Sequence, residues 1–122
     1  MSSDSLAELQ DHNYINLETY RKSGLAVRTP VWFVIFDDQI FIVTTKDTGK
    51  VKRIKNNTDV KIMPCGIRGE PKGEWIPAKA RFASEEEAEK AVLFRNKKYG
   101  FRAKMVSLFL RNGEPKVIAV KP

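Results

Sequence analysis

One cysteine and one histidine in 122 residues exclude a good deal of chemistry. Cys65 has no partner for an intrachain disulfide, so a reducing cytoplasm is the expected setting. His12 stands alone near the start of the chain, which leaves no histidine pair for a metal and no histidine to activate a nucleophile. Cys65 without such a base reads as a small buried residue. Long apolar runs are missing as well: Val31 to Phe36 is far too short to cross a bilayer. The opening "MSSDSLAELQDH" carries acids and no apolar core of leader length. There is no GxGxxG and no P-loop. No catalytic side chain and no metal ligand is assigned. If the protein catalyses anything, a cofactor is expected to carry the chemistry.

Acids are the scarcer charge, 15 against 22 Lys and Arg, for a formal net charge of +7. That surplus favours an anionic partner without naming it. Apolar residues make up 42% of the chain, enough for a real core in one domain spanning 1–122.

The punctuation of the sequence predicts a short N-terminal helix within 1–12, capped by Ser2, Ser3 and Asp4, followed by strands at 14–20, 25–36 and 39–45. Asp37-Asp38 reads as a tight hairpin turn, and Pro30 as a mark of a bulge or an unpaired edge. The basic segment 50–57 is expected to form a turn or two of helix. A strand at 59–65, stopped by Pro64 and Gly66, and another at 74–82 follow. Period two in the second places Ile76, Ala78, Ala80 and Phe82 on one face and Trp75, Lys79 and Arg81 on the other. Ser84 and Glu87 form a capping box that opens a helical insertion over 84–111, with Phe101, Met105, Leu108 and Phe109 on one face of its later part. "NGEP" turns the chain into a last strand, 116–120. Hairpin-linked strands, a late helical excursion and one returning strand describe a small antiparallel barrel, with an open α+β sandwich as the competing arrangement.

The stretch "IFIVTTKDTGKVKRIKNN" passes from an apolar strand tipped by Thr44 and Thr45 into a run of cations. Hydroxyls, amides around Gly49 and the charge of Lys50 are groups that bind phosphate oxygens. A helix starting near Lys50 adds its free N–H groups. A solvated cationic face explains the same pattern.

With "YINLETYRKSG", "TPVWFV" and "VKIMPCGIRGEPKGEWIPAKARF", this stretch resembles the flavin-binding split-barrel proteins, in particular the pyridoxamine-phosphate-oxidase-like branch of deazaflavin-dependent oxidoreductases. The likeness runs over about residues 13–120. It implies a mainly β protein with helices, a six-stranded antiparallel split barrel that forms homodimers with cofactor sites at the subunit interface. By the same resemblance Pro30, Val31 and Trp32 border the ring system, Val43 and Thr44 follow its edge, and Thr45, Lys50, Val51 and Lys52 grip the phosphate. Trp75 and Lys79, with Arg81, would continue the cationic track. The sequence is shorter than the vitamin B6 oxidase and lacks its C-terminal extension, which argues against pyridoxamine phosphate as substrate.

The expected function is hydride transfer from reduced coenzyme F420 to a small organic acceptor, with FMN as the alternative cofactor. Two readings of other classes stand beside it. One is a flavin-binding module without turnover. The other is a nucleic-acid-binding barrel that stacks bases on Trp32, Trp75 and Phe101. Neither a nucleic acid nor a membrane is the expected partner.

Overall fold

The computed structural model describes residues 2–100 and 114–122, and the expected helix at 101–109 and the start of the "NGEP" turn lie outside them. The elements run α1 (Ser2–Leu9), β1 (Tyr14–Tyr20), β2 (Ala26–Val31), β3 (Val34–Phe36), β4 (Gln39–Thr45), α2 (Gly49–Asn56), β5 (Asp59–Cys65), β6 (Ile76–Phe82), α3 (Glu85–Tyr99) and β7 (Pro115–Lys121). The strands form one antiparallel sheet in the order β2-β1-β5-β6-β7-β4-β3.

The two outer strands of this sheet, β2 and β3, are consecutive in the chain and separated only by Trp32 and Phe33. Edges that close in sequence meet only if the sheet curls, so the architecture is a curled half-barrel of the split-barrel type. The count corrects the expected six strands to seven, because the apolar run 25–36 breaks at Trp32-Phe33 into strands on opposite edges. Pro30 lies on β2, which is an edge strand, where a missing N–H is tolerated.

The concave side holds the main core: Leu6 and Leu9 of α1, Ile15 and Leu17 of β1, Ile40 and Ile42 of β4, Val51 and Ile54 of α2, and Ile118 and Val120 of β7. A second cluster, Phe41, Val117 and Ala119 with Val34 and Ala91, lies on the convex side under α3. Alternation along β4 and β7 feeds both layers. The run Val31 to Phe36 is covered in part within the chain, with Val31, Trp32, Ile35 and Phe36 half-buried. Phe33 and Val34 are buried, and Phe36 stacks on Phe41 with ring centroids 4.0 Å apart.

Asp37 and Asp38 both have positive φ, 51° and 58°, the backbone that two-residue hairpins demand. Pro64 does not stop its strand as expected but lies inside β5, paired with Ile15. Its carbonyl accepts from the Lys72 amide at 2.9 Å, so that side of the residue faces the following loop, where no ladder donor is needed.

Candidate functional site

The basic turn is built by Thr48. Its amide and its Oγ1 both donate to the carbonyl of Thr45, at 3.3 and 3.1 Å, which folds the chain sharply from β4 into α2. With the hydroxyl engaged there, Thr48 gives α2 no side-chain cap. The first amides of a helix have no partner within it, so those of Gly49, Lys50 and Val51 stand at the positive end of the dipole.

Arg53 returns to this end. Side chains one turn along a helix point back toward its N-terminus, and a Cβ placed on Gly49 would lie 2.6 Å from the Arg53 Nη1. Arg53 Nε donates to Thr19 Oγ1 at 2.6 Å, tying α2 to β1. Arg21 follows Thr19 by two positions and leaves β1 toward the same side. Burial and then the nearby Arg53 hold the Lys50 ammonium below its usual pKa. Burial and then Arg21 do the same to Arg53. The ion pairs among the described residues lie elsewhere, at Glu18–Arg28, Lys46–Glu114, Asp59–Lys79, Arg81–Glu87 and Asp37–Lys90. Arg53 therefore lies over Gly49 with Lys50 and Arg21 each near enough to act on it or be acted on by it, and none of the three is in an ion pair among the described residues.

The expected residues fall into separate groups. Lys50 is half-buried and stands with Thr45 at the turn, and Val51 is fully buried, so only its amide faces that way. Lys52 is exposed. Thr44 is buried on the concave face and Val43 packs on the convex cluster. Pro30 and Val31 lie on β2 opposite Asn16 and Ile15. Ile15 is four residues along β1 from Thr19, about 13 Å at about 3.3 Å per residue. Trp75 lies just before β6, with the Arg28 guanidinium 5.0 Å from its ring centroid, and Arg28 is bound at 2.8 Å to Glu18.

Lys79 stands apart within the chain. Thr45 pairs with Pro115 and Lys79 with Lys121, so the full length of β7 separates them, about 20 Å by the same rise. Lys79 bonds Asp59 and borders a cleft of about 600 Å³ with Tyr20, Lys61 and Lys121. Arg81 is held by Glu87 and Gln39.

At the crossing from β2 to β3, Trp32 stacks on Tyr99 with centroids 4.3 Å apart and planes 9° from parallel. The Tyr99 hydroxyl meets the amide and carbonyl of Phe33, each at 3.0 Å, and the Asn13 carbonyl at 2.7 Å. Burial raises its pKa to about 12. Lys98 Nζ donates to the Phe33 carbonyl at 3.0 Å and lies 3.7 Å from the Phe33 ring centroid.

Arg21, Arg53 and Tyr99 were missed by the sequence reading. Only Arg53 left a signal, its spacing of four from Gly49. Cys65 is buried as expected, and burial raises its pKa. Among the described residues no group of acids, histidine and cysteine is arranged to hold a metal, and no helix is long and apolar enough to cross a membrane.

Residues 3–122 match the family of pyridoxamine 5'-phosphate oxidase. Among curated proteins none matches the sequence. Solved structures share the fold at low identity. HutZ, the heme storage protein from Vibrio cholerae, is 16% identical, with a TM-score of 0.73 over 98% of this chain and 88% of its own. A conserved hypothetical protein from Mycobacterium tuberculosis is 16% identical, with a TM-score of 0.68 over 100% and 79%. A protein of unknown function from Agrobacterium tumefaciens is 15% identical, with a TM-score of 0.74 over 98% of this chain and 53% of its own.

Proposed function

The chain belongs to the pyridoxamine 5'-phosphate oxidase family, and from that we propose that it is an oxidoreductase binding a flavin-type cofactor, coenzyme F420 or FMN, at the interface of a homodimer. The observation that carries the reading is the pair Lys50 and Arg53 at Gly49, with Arg21 acting on Arg53, cations with no ion pair among the described residues. A cradle of this kind suits a phosphate and has no evident structural purpose of its own, since like charges brought together cost stability.

Bound in its reduced form, the cofactor supplies a hydride to a small organic acceptor. The chain's own part is binding and orientation. Thr45, Lys50, Lys52 and the amide of Val51 hold the phosphate end. Pro30, Val31 and Trp32 border the ring, with Val43 and Thr44 along its edge. Lys79 reaches the cofactor across the dimer, because within one chain the length of β7 separates it from Thr45, and Trp75 stands by Arg28 of β2 near the ring-bordering Pro30. The surplus of +7 suits F420, whose tail carries a phosphate and several carboxylates. The tight cation group suits FMN, whose phosphate is a monoester.

Parallel titration with FMN and F420, read by optical spectra, tests the cofactor class, and oxidation of the bound reduced form by a panel of acceptors tests turnover. Failure of both cofactors to bind would refute the reading. Binding without turnover would leave a flavin-binding module. A steep salt dependence of oligonucleotide binding would instead support a nucleic-acid barrel. That outcome is not expected, since Trp32 has one face on Tyr99 and Trp75 lies against Arg28.

A further inference from the structure

Ile15 and Leu17 of β1 enter the main core, so Asn16, Glu18 and Tyr20 take the convex face of the sheet. Glu18 lies opposite Arg28 of β2 on one side and Lys61 of β5 on the other. The row Arg28–Glu18–Lys61 sets two cations about one carboxylate, which leaves one positive charge in excess.

Glu18 is the buried member. Its side chain is 7% exposed, against 61% for Arg28. One carboxylate oxygen accepts from Arg28 Nε at 2.8 Å and the other from the Tyr20 hydroxyl at 2.8 Å. Burial acts to raise the Glu18 pKa, but these bonds outweigh it, and the carboxyl titrates below its ordinary value and stays charged at neutral pH. On its flat face Arg28 meets Trp75, whose ring centroid lies 5.0 Å from the guanidinium carbon. Neither terminal nitrogen of Arg28 is hydrogen-bonded among the described residues.

An exposed ion pair adds little stability, and holding a long side chain in one rotamer costs freedom. Here three residues fix one exposed guanidinium: Glu18 at its Nε edge, Trp75 on its face, and Tyr20 behind Glu18. What stays open is a pair of parallel N–H donors, the geometry that grips a carboxylate through two bonds. The single excess charge of the row suits such a monoanion better than a phosphate dianion. Arg28 precedes Pro30 by two residues on the same face of β2, about 7 Å at about 3.3 Å per residue. Pro30 borders the ring in the flavin reading, so a molecule lying against the ring comes within reach of Arg28.

We propose that Arg28, set by Glu18 and Trp75, binds a carboxylate on the acceptor, so that the acceptors of this protein are organic acids. The inference rests on the flavin reading and names the substrate class within it.

The test titrates cinnamate and its neutral amide, cinnamamide, into the FMN-loaded and the cofactor-free protein. Binding is followed by the Arg28 Nε–H and Trp75 indole N–H resonances and by the flavin spectrum, which a molecule stacked on the ring perturbs. The native protein should prefer the acid by roughly 10- to 150-fold, the effect of one charge-assisted hydrogen bond. Arg28→Gln should abolish that preference, and Arg28→Lys, which keeps the charge and loses the fork, should retain part of it. Equal binding of acid and amide, a preference that survives in Arg28→Gln, or a flavin spectrum indifferent to cinnamate would each overturn the proposal. A loss of F420 affinity in Arg28→Gln, with FMN affinity kept, would assign the fork to the carboxylates of the F420 tail and overturn it too. If Arg28→Gln fails to fold, the native ratio of acid to amide and the Arg28 resonance decide. If no flavin binds, the functional reading fails by itself. The cofactor-free titration then decides the inference: saturable shifts of Arg28 with the acid alone support it, and their absence overturns it.

Discussion

Lys98 is exposed along its stem, yet its ammonium lies against the Phe33 ring, and desolvation brings its pKa down from 10.5 to about 8. Between those two values the unfolded chain holds a proton that the folded chain has released, so this group makes stability rise with pH from about 8 to about 10.5. Below pH 8 both states are protonated and the cost of burying the charge is present in full. Lys98→Met should therefore remove the rise, which denaturant unfolding at pH 7.5 and pH 10 measures. Lys50→Ala is expected to weaken cofactor binding by roughly 10- to 150-fold. Lys55→Ala, on the exposed side of α2, should change it by less than about threefold, and calorimetric titration separates the two. Lys50 was legible because it directly follows a glycine at the end of a polar-tipped strand. Arg53 was less so: its sequence neighbourhood is that of any solvated lysine-rich turn, and only the fold brings Thr19 beside it. Arg21 left no signal, since its role depends on where β1 ends relative to α2.

The start of α3 carries a complete capping box, with Ser84 Oγ accepting from the Glu87 amide at 3.2 Å and Glu87 accepting from the Ser84 amide at 2.9 Å. Arg81 grips the same carboxylate, and these contacts, Arg81 first, lower its pKa from 4.5 to about 2. A depressed carboxylate stabilises the fold above about pH 4.5 and loses that contribution as pH falls toward 2. Ser84→Ala should cost about 1 kcal/mol, measured by urea unfolding at pH 7. At the other end of α3, Tyr99→Phe keeps the ring against Trp32 but deprives the Phe33 amide of its acceptor. The expected cost is about 1–3 kcal/mol, with the tryptophan emission little changed. The capping box, the Asp37-Asp38 turn and the alternation of β6 were all written in residues a few positions apart, and the structure has them as expected. The break at Trp32-Phe33 was hidden, because an unbroken β-branched and aromatic run looks like one strand. What divides it is Tyr99, far along the chain, and local patterning carries no trace of such a partner.

At the scale of the molecule, the sheet order shows why a strand count from sequence falls short: β2 and β3 are adjacent in the chain and lie on opposite edges of the sheet. The dimer remains a proposal. Its support is the family together with Leu25 and Ile67, which are 59% and 65% exposed. Light scattering should give about twice the 13.9 kDa of the chain at concentrations where cofactor binds, and a stable monomer there would remove the interface site. The place of β7 has a consequence for how the protein is made. Among the described residues it is the last strand in sequence, yet it sits between β6 and β4 and is the sole link of the β3–β4 hairpin to the rest of the sheet. During synthesis from the N-terminus, β1, β2, β5 and β6 can pair as they emerge, while the hairpin bearing Thr44 and Thr45 waits for residues 115–121. Its apolar residues Phe41 and Ile42 lack their β7 neighbours until then, which makes the growing chain most vulnerable to aggregation before residues 115–121 have emerged.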